Sequence, residues 1–525
     1  MTMPLSATLA STCDWMRQVA QSAQLSSDSR RVMEGDIFLA YPGDTADGRS
    51  YIDDAIDHGA AAVLYEDSNG FRWNDAHAGV PHRAVPGLKG IAGPLASAWY
   101  RQPDSAMLTV GVTGTNGKTS CTQWLASALA LLGEPTAVIG TLGVGICRRG
   151  EAIRLEATGY TTPDAVLLQR KLAELRDAGA TALAIEVSSI GLAQQRLCGM
   201  HFDVAVFTNL TRDHLDYHGT MEAYEKAKVE LFDWPGLKQA VINLDDDMGL
   251  RLVLRLQKSA PAVALYGYTV QGRTAPGVTI FGASDVRATA AGTTFQIDAP
   301  DGSATVKSQV IGHFNVSNLL AVACVLMAHG TEWRKACEVL ETLAAIPGRM
   351  QQLGGNDAPM VVIDYAHTPD ALQKTLIALR DVASQRGGRL WCVFGCGGDR
   401  DAGKRPQMGA AAEAADEVII TSDNPRSENP ADIMAQIAAG MAATKTMTAT
   451  AAAATEGARP LLVEDRAAAI LRAVKHAAKN DVVLLAGKGH EQYQEIRGRK
   501  LSFLDADHAA LALAARATNA SARGT

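Results

Sequence analysis

Residues 110–120, VGVTGTNGKTS, decide how the rest of the chain is read. A common phosphate-binding loop sets one glycine, four residues, then Gly-Lys-Ser/Thr. Here the place of the first glycine is held by Val112, and Gly111 stands one residue too early. The context is nonetheless right: the apolar run MLTVGVT predicts a strand, and TSCTQWLASALALLG predicts an apolar-periodic helix. Glycines at such a junction let backbone N–H groups approach phosphate oxygens, and the helix N-terminus adds a positive end. Lys118 is placed to reach the outer phosphates and Thr119 to ligate magnesium. A Gly-rich turn alone would be a tight strand-to-helix corner, whereas Gly-Lys-Thr in this setting points to a nucleoside triphosphate.

Composition bounds the rest. The chain has 525 residues, 47% hydrophobic and 20% charged, with a formal net charge of −7. At roughly 100–200 residues per domain, about three domains are expected. The acidic balance gives no basic footprint for nucleic acid. Eight cysteines at irregular spacings, Cys392 and Cys396 the nearest pair, form no metal or redox motif and read as reduced thiols of a cytoplasmic protein. No leader pattern opens the chain, and no run of about 18 apolar residues predicts a membrane span.

Outward from the loop, strands are expected at ALAIEVSS and VAVFTNL, and a helix at GHFNVSNLLAVACVLMAHG. Before the loop, GDIFLAYPG reads as a strand, and YIDDAIDHGAAAVLYE as a helix followed by a strand. After IPGRMQQLGG, a junction from Ile346, four apolar strands each empty into a polar or Gly-rich loop: VVIDYAHTPD, WCVFGCGGDRD, VIITSDNPRSENP and VVLLAGKGHEQ. Strand–helix alternation predicts mostly parallel sheets with helices on both faces. In such sheets ligands sit outside the carboxyl ends of the strands. The expected organisation is α/β in three domains: a small N-terminal α/β domain (1–103), a central P-loop ATPase-like domain (104–345) and a C-terminal Rossmann-like domain (346–525). The low-complexity segment 441–457 is expected to be a floppy surface insertion.

The variant Gly-Thr-Asn-Gly-Lys-Thr resembles the loop of the Mur ligase superfamily, whose members join an amino acid to a carboxylate with ATP. The resemblance implies ATP contacts from Gly114, Thr115, Asn116, Gly117, Lys118, Thr119 and Ser120. The phrase FTNLTRDHLDYHG resembles the superfamily's second signature, in which His214, with Glu186 at the end of AIEVSS, is a metal ligand. A histidine standing alone would be an ordinary structural residue. In YEKAKVELF, Lys228 falls on the family's carbamylated lysine and is preferred over Lys226 by the Tyr-Glu-x-x-Lys pattern. A carbamate turns a cation into a carboxylate-like anion able to help Thr119, Glu186 and His214 hold Mg2+. Lys118, Glu186, His214 and Lys228 are thus the implied catalytic set. GHFNVSNLLA resembles a third signature that puts Asn315 near the adenine. Arg349 and Asp364 fall on positions that reach ATP from the C-terminal domain.

The N-terminal phrases SSDSRRVMEGDIF and GDTADGRSYIDDAI are ordinary loop composition by themselves. Beside the other matches they resemble a UDP-binding domain of the family. Ser29, Asp44, Thr45 and Ala46 then contact the nucleotide, and Thr161, Thr162, Ser188, Gln194 and Arg196 the muramoyl dipeptide. Ile190 departs from the family, which often has histidine after the paired serines. The phrase Asp423-Asn424-Pro425-Arg426 resembles the family's mark of meso-diaminopimelate specificity, with Arg400, Gly487 and Glu491 completing the amino-acid site. The planar fork of an arginine grips a carboxylate, and diaminopimelate has one at its far end where lysine has an ammonium.

The resemblance therefore implies an ATP-dependent ligase of peptidoglycan biosynthesis. It would add meso-diaminopimelate to UDP-MurNAc-L-Ala-D-Glu through an acyl phosphate, acting as a cytoplasmic monomer on small molecules. Alternatives are a lysine-adding ligase of the same family, a folylpolyglutamate synthetase, which lacks the N-terminal UDP pattern, and a P-loop regulatory ATPase that makes no bond.

Overall fold

The structure, a computed structural model, describes residues 5–44, 46–289, 292–447 and 460–521. Thr45 and residues 448–457 of the low-complexity segment lie outside them.

Three α/β sheets follow one another along the chain. The first is four-stranded and parallel: β1 (Leu25–Ser26), β2 (Ile37–Ala40), β3 (Ala62–Glu66) and β4 (His82–Val85), in that order. The second has ten strands: β5 (Leu108–Thr113), β6 (Thr136–Gly140), β7 (Gly143–Cys147), β8 (Ala182–Glu186), β9 (Val204–Phe207), β10 (Gln239–Asn243), β11 (Ala264–Thr269), β12 (Thr279–Thr289), β13 (Gly292–Ala299) and β14 (Gly302–Ser308). Their spatial order is β14-β13-β12-β11-β10-β9-β5-β8-β6-β7. The third has six: β15 (Gln351–Gly354), β16 (Met360–Asp364), β17 (Leu390–Phe394), β18 (Glu417–Ile420), β19 (Leu461–Leu462) and β20 (Val482–Ala486), ordered β15-β16-β20-β17-β18-β19.

The predicted strands and helices around the loop form where the apolar runs place them. Successive side chains of a strand point to opposite faces, and β8 shows it: Ala182 and Ala184 join one core, Leu183 and Ile185 the other. The helix Lys118–Leu131 packs on the first face beside His313–Ala328. The latter buries most of its side chains, on every face of its central turns, as a helix apolar all round must.

Two features escape the sequence reading. The edges of the central sheet are antiparallel, at β6–β7 and along the meander β12–β13–β14. The expected floppy insertion is corrected at its start, because residues 441–447 continue the helix Pro430–Met447. Met441 is buried there against the C-terminal core, so apolar packing overrides the low-complexity composition.

What the fold does for function follows from parallelism. Strands β6, β8, β5, β9 and β10 run the same way, so the residues just after them emerge on one edge. Strands β16, β20, β17, β18 and β19 share one direction likewise.

Candidate active site

The loop after β5 is held open by its two glycines. Gly114 and Gly117 have φ of +150° and +88°, where a side chain is strained. A Cβ on Gly117 would stand 2.5 Å from Asn318 Oδ1. The segment after β9 braces the loop: Thr115 N–H donates to the Asn209 carbonyl (2.8 Å) and Asn116 N–H to Asn209 Oδ1 (2.9 Å). Lys118 Nζ folds back onto the carbonyls of Gly114 (2.8 Å) and Thr115 (3.0 Å). Burial lowers its pKa, opposed by Glu186 and Asp213. The amine is thus parked on the carbonyls of its own loop.

Glu186, at the end of β8, is buried. Its two oxygens accept from Thr141 N–H (2.9 Å) and Thr141 Oγ1 (3.0 Å), just past β6. A side chain at Gly140 would overlap this carboxylate. His214 lies past β9 with φ +53°. Its pKa is pushed down to about 4 by burial, with Lys118 and Lys228 adding to the effect and Asp213 opposing it, so the imidazole is neutral at pH 7. Asp213 sits between His214 and His367, its carboxylate 3.5 and 3.7 Å from their rings. Burial raises the Asp213 pKa, but bonding and charge from the two histidines outweigh it and leave it well below the usual range.

Lys228 is fully buried, its Nζ 4.2 Å from the centre of the Tyr224 ring, whereas Lys226 is exposed. Burial first, then the Lys118 charge, pulls the Lys228 pKa well below that of a free lysine. Lys118, His214 and Lys228, separate in sequence, each feel the charge of Asp213, and Glu186 joins them through Lys118. Among the described residues no three His, Cys, Asp or Glu side chains gather as a metal group. The expected ligand set contains only one carboxylate and one imidazole.

The third sheet reaches the loop directly. Arg349 donates to Thr119 Oγ1 (3.1 Å) and stacks 4.4 Å over the Tyr365 ring. Asp364 is held by the N–H groups of Met350 (2.9 Å) and Ala366 (2.8 Å). Burial raises its pKa against the charge of Arg349. A cavity of about 390 Å³ between the two sheets is lined by Asn116, Gly117, Ser120, Asn315, Arg349 and Asp364 among others. Asn315 is anchored there, its Nδ2 donating to the Ile311 carbonyl (2.9 Å).

A second cleft, of about 490 Å³, opens at the carboxyl ends of β1 and β2 and is lined by Ser29, Asp44, Ala46, Gln194 and Arg196. Thr161, Thr162 and Ser188 lie further in. Arg196 donates to Gln194 Oε1 (2.9 Å) and to the Thr162 carbonyl (2.8 Å). The Thr162 hydroxyl bonds the Glu186 carbonyl (2.8 Å) and meets Ser188 Oγ (3.0 Å). Thr161 Oγ1 meets Thr141 Oγ1 (3.1 Å), which bonds Glu186. A polar path therefore runs from this cleft to Glu186.

The C-terminal residues gather past β17, β18 and β20. Arg426 (φ +50°) donates from Nη1 to the Gly398 carbonyl (2.6 Å), with Nε 3.5 Å from Glu495. Asn424 Nδ2 donates to Glu491 Oε2 (2.7 Å). Gly487 (φ +105°) leaves room for Asp423, whose Oδ2 would be 2.9 Å from an added Cβ. The Pro425 carbonyl packs against Gly398. Arg400 flanks Gly397 together with Arg426, its side chain 56% exposed and paired with Asp216, past β9, at 3.6 Å. Among the residues that the sequence reading missed, Asp213 lay inside a quoted motif. Thr141 carried no signal beyond following a strand.

Comparison with known proteins follows the same three-part division. Residues 23–91 match the family described as Mur ligase family, catalytic domain; residues 112–326 match the Mur ligase middle domain; residues 348–489 match the Mur ligase glutamate ligase domain. A protein of Janthinobacterium sp. (strain Marseille), named UDP-N-acetylmuramoyl-L-alanyl-D-glutamate–2,6-diaminopimelate ligase, is 59% identical over 97% of each chain. A protein of the same name from Ralstonia nicotianae is 51% identical over 98% of each. A solved structure of a ligase of that name is 36% identical, with a TM-score of 0.64 over 94% of this chain and 95% of that one.

Proposed function

The chain belongs to the Mur ligase family, and from that premise we propose that it joins meso-diaminopimelate to the D-glutamyl carboxylate of UDP-MurNAc-L-Ala-D-Glu, converting ATP to ADP and phosphate. The product, UDP-MurNAc-tripeptide, is a peptidoglycan precursor. One observation carries the reading: a continuous line of contacts joins the candidate amino-acid loops to the nucleotide loop. It runs from Glu491 to Tyr365 (3.5 Å), under Arg349 (4.4 Å) and on to Thr119 (3.1 Å).

ATP lies in the cavity between the central and C-terminal sheets, its adenine toward Asn315. Amides of residues 114–120 and the Lys118 ammonium receive the phosphates. The donor set fits a divalent cation: Thr119 Oγ1, a buried carboxylate at Glu186, a neutral imidazole at His214, and a buried amine at Lys228 that takes up CO2 as a carbamate with release of a proton. When bound, Mg2+ supplies charge neutralisation at the transferred phosphate. The D-glutamyl carboxylate, led along the Arg196–Thr162–Thr161 path, attacks the γ-phosphorus and ADP leaves. Positioning and charge dominate such a step. The diaminopimelate amine then attacks the acyl carbon, phosphate departs with the bonding pair, and one proton is lost as the amide forms. No enzyme nucleophile is needed. Asp423, Asn424, Arg426 and Glu491 hold the amino acid, and Arg426 selects its distal carboxylate. Among the described residues no helix is long and apolar enough to cross a membrane, and a monomer acting in the cytoplasm accords with small soluble substrates.

Phosphate release is measured with ATP, Mg2+ and UDP-MurNAc-L-Ala-D-Glu, adding meso-diaminopimelate or L-lysine in parallel. Release that needs both the dipeptide and diaminopimelate, with a product of tripeptide mass, is expected. A preference for lysine overturns the role of Arg426. Turnover indifferent to all three overturns the ligase.

A further inference from the structure

Lys488 belongs to none of the roles above, yet its side chain is fully buried. Charged side chains are almost never fully buried unless paired. This one donates two hydrogen bonds to the candidate amino-acid loops and lies within ion-pair range of a third side chain there. Its Nζ lies 3.1 Å from Asn424 Oδ1, 3.0 Å from Glu491 Oε2 and 3.6 Å from Asp423 Oδ1.

The consequences are geometric. Asn424 Oδ1 also accepts from Glu495 N–H at 2.9 Å. A flipped amide would face two donors with a third, so Lys488 and Glu495 fix its orientation. That orientation turns Nδ2 onto Glu491 Oε2 (2.7 Å). Oε2 is thus held twice, and Oε1 is left with the Tyr365 hydroxyl at 3.5 Å, beyond a normal O–H···O bond. Asp423 Oδ1 is buried with no hydrogen-bond donor. Two acceptor oxygens therefore stand without adequate donors beside one buried cation. A buried carboxylate oxygen in that state, as at Asp423, is costly, and a ligand ammonium relieves it.

We infer that Lys488 is a positioning residue that aims Asp423 Oδ1 and Glu491 Oε1 at an ammonium group of the amino-acid substrate. This rests on the reading that these loops hold the amino acid. The alternative is that Lys488 only neutralises two carboxylates for folding.

The test is steady-state kinetics of the full chain, wild type against Lys488→Met, varying each substrate in turn. The KM for diaminopimelate is expected to rise by roughly tenfold or more, the scale of one charge-assisted hydrogen bond. The KM values for ATP and for the UDP-dipeptide are expected to stay near wild type. Propylammonium added to Lys488→Ala is expected to restore part of the lost affinity. In an Asn424→Ala background the Lys488→Met effect is expected to shrink, because the two act through one network. If Lys488→Met does not fold, Lys488→Gln, which keeps an N–H donor without the charge, is read the same way. A rise in all three KM values together, or a fall in kcat alone, overturns the inference. Wild-type turnover that ignores diaminopimelate overturns instead the reading of the site on which it rests.

Discussion

Replacing Arg426 with alanine separates its part in selecting the amino acid from its part in the loop. The backbone at this residue is tied independently of the side chain: its N–H donates to the Glu495 carbonyl (3.0 Å) and its carbonyl accepts from Arg497 N–H (2.7 Å). Alanine also carries the same left-handed penalty as arginine at φ +50°, so backbone strain is unchanged. What is lost is the guanidinium. Nη1 is committed to Gly398 and Nε lies near Glu495, which leaves the Nη2 side for a ligand. One charge-assisted contact is worth about 1.5–3 kcal/mol. That converts to roughly 10- to 150-fold in kcat/KM for diaminopimelate. Lysine has no distal carboxylate, so its kcat/KM is expected to change by less than about threefold, within the spread of ordinary surface substitutions. The assay is phosphate release with each amino acid at limiting concentration. Equal losses for both, or no loss for diaminopimelate, would refute the argument, because the guanidinium would then serve the loop and not the ligand.

Three further expectations follow from burial and charge. Incubation with ¹³C-bicarbonate should give a carbamate NMR resonance in the wild type that is missing in Lys228→Met, and ligase activity should disappear with it. His201 bridges Asp104 (3.0 Å) and Asp203 (3.4 Å), and those hydrogen bonds raise its pKa to about 9. A raised pKa contributes stability fully present below about 6.5 and lost as pH climbs through about 9. The melting temperature should therefore fall over that window more in the wild type than in His201→Gln. Arg466 and Asp505 form an ion pair with both side chains fully buried (2.6 Å), so Arg466→Met, which strands the carboxylate, should cost about 3–5 kcal/mol in urea unfolding. By contrast, the half-exposed Arg212–Asp401 pair (3.5 Å) should contribute less than about 1 kcal/mol, and Arg212→Ala is its control.

The sequence was most informative where one strand empties into one motif. An apolar run fixes a buried strand, its end fixes an edge of the sheet, and the glycines after it mark where backbone must approach a ligand. The nucleotide loop after β5 and the Asp-Asn-Pro-Arg loop after β18 were legible on those terms. The antiparallel meander β12–β14 was not, because β12 buries only one residue and β14 two, so neither strand carries an apolar run. Nor was residue 441, where composition argued for a loose loop and a buried methionine argued for a helix.

Sites assembled between sheets are harder to read, since adjacency across an interface leaves no spacing in the chain. Asp213 shows the limit. Its neighbour His214 is visible in a motif, but the opposing His367 comes from the third sheet and meets it only after folding. Arg400 adds a contact of the same kind: beside Arg426 at Gly397, it also pairs with Asp216 across the interface. Asp213 and Asp216 flank His214 in sequence, and Tyr217 beside them donates to Asp44 of the first sheet (3.3 Å). One short segment past β9 thus touches all three sheets. Its tolerance to substitution is therefore set by several packing partners at once, which local pattern within the segment does not carry.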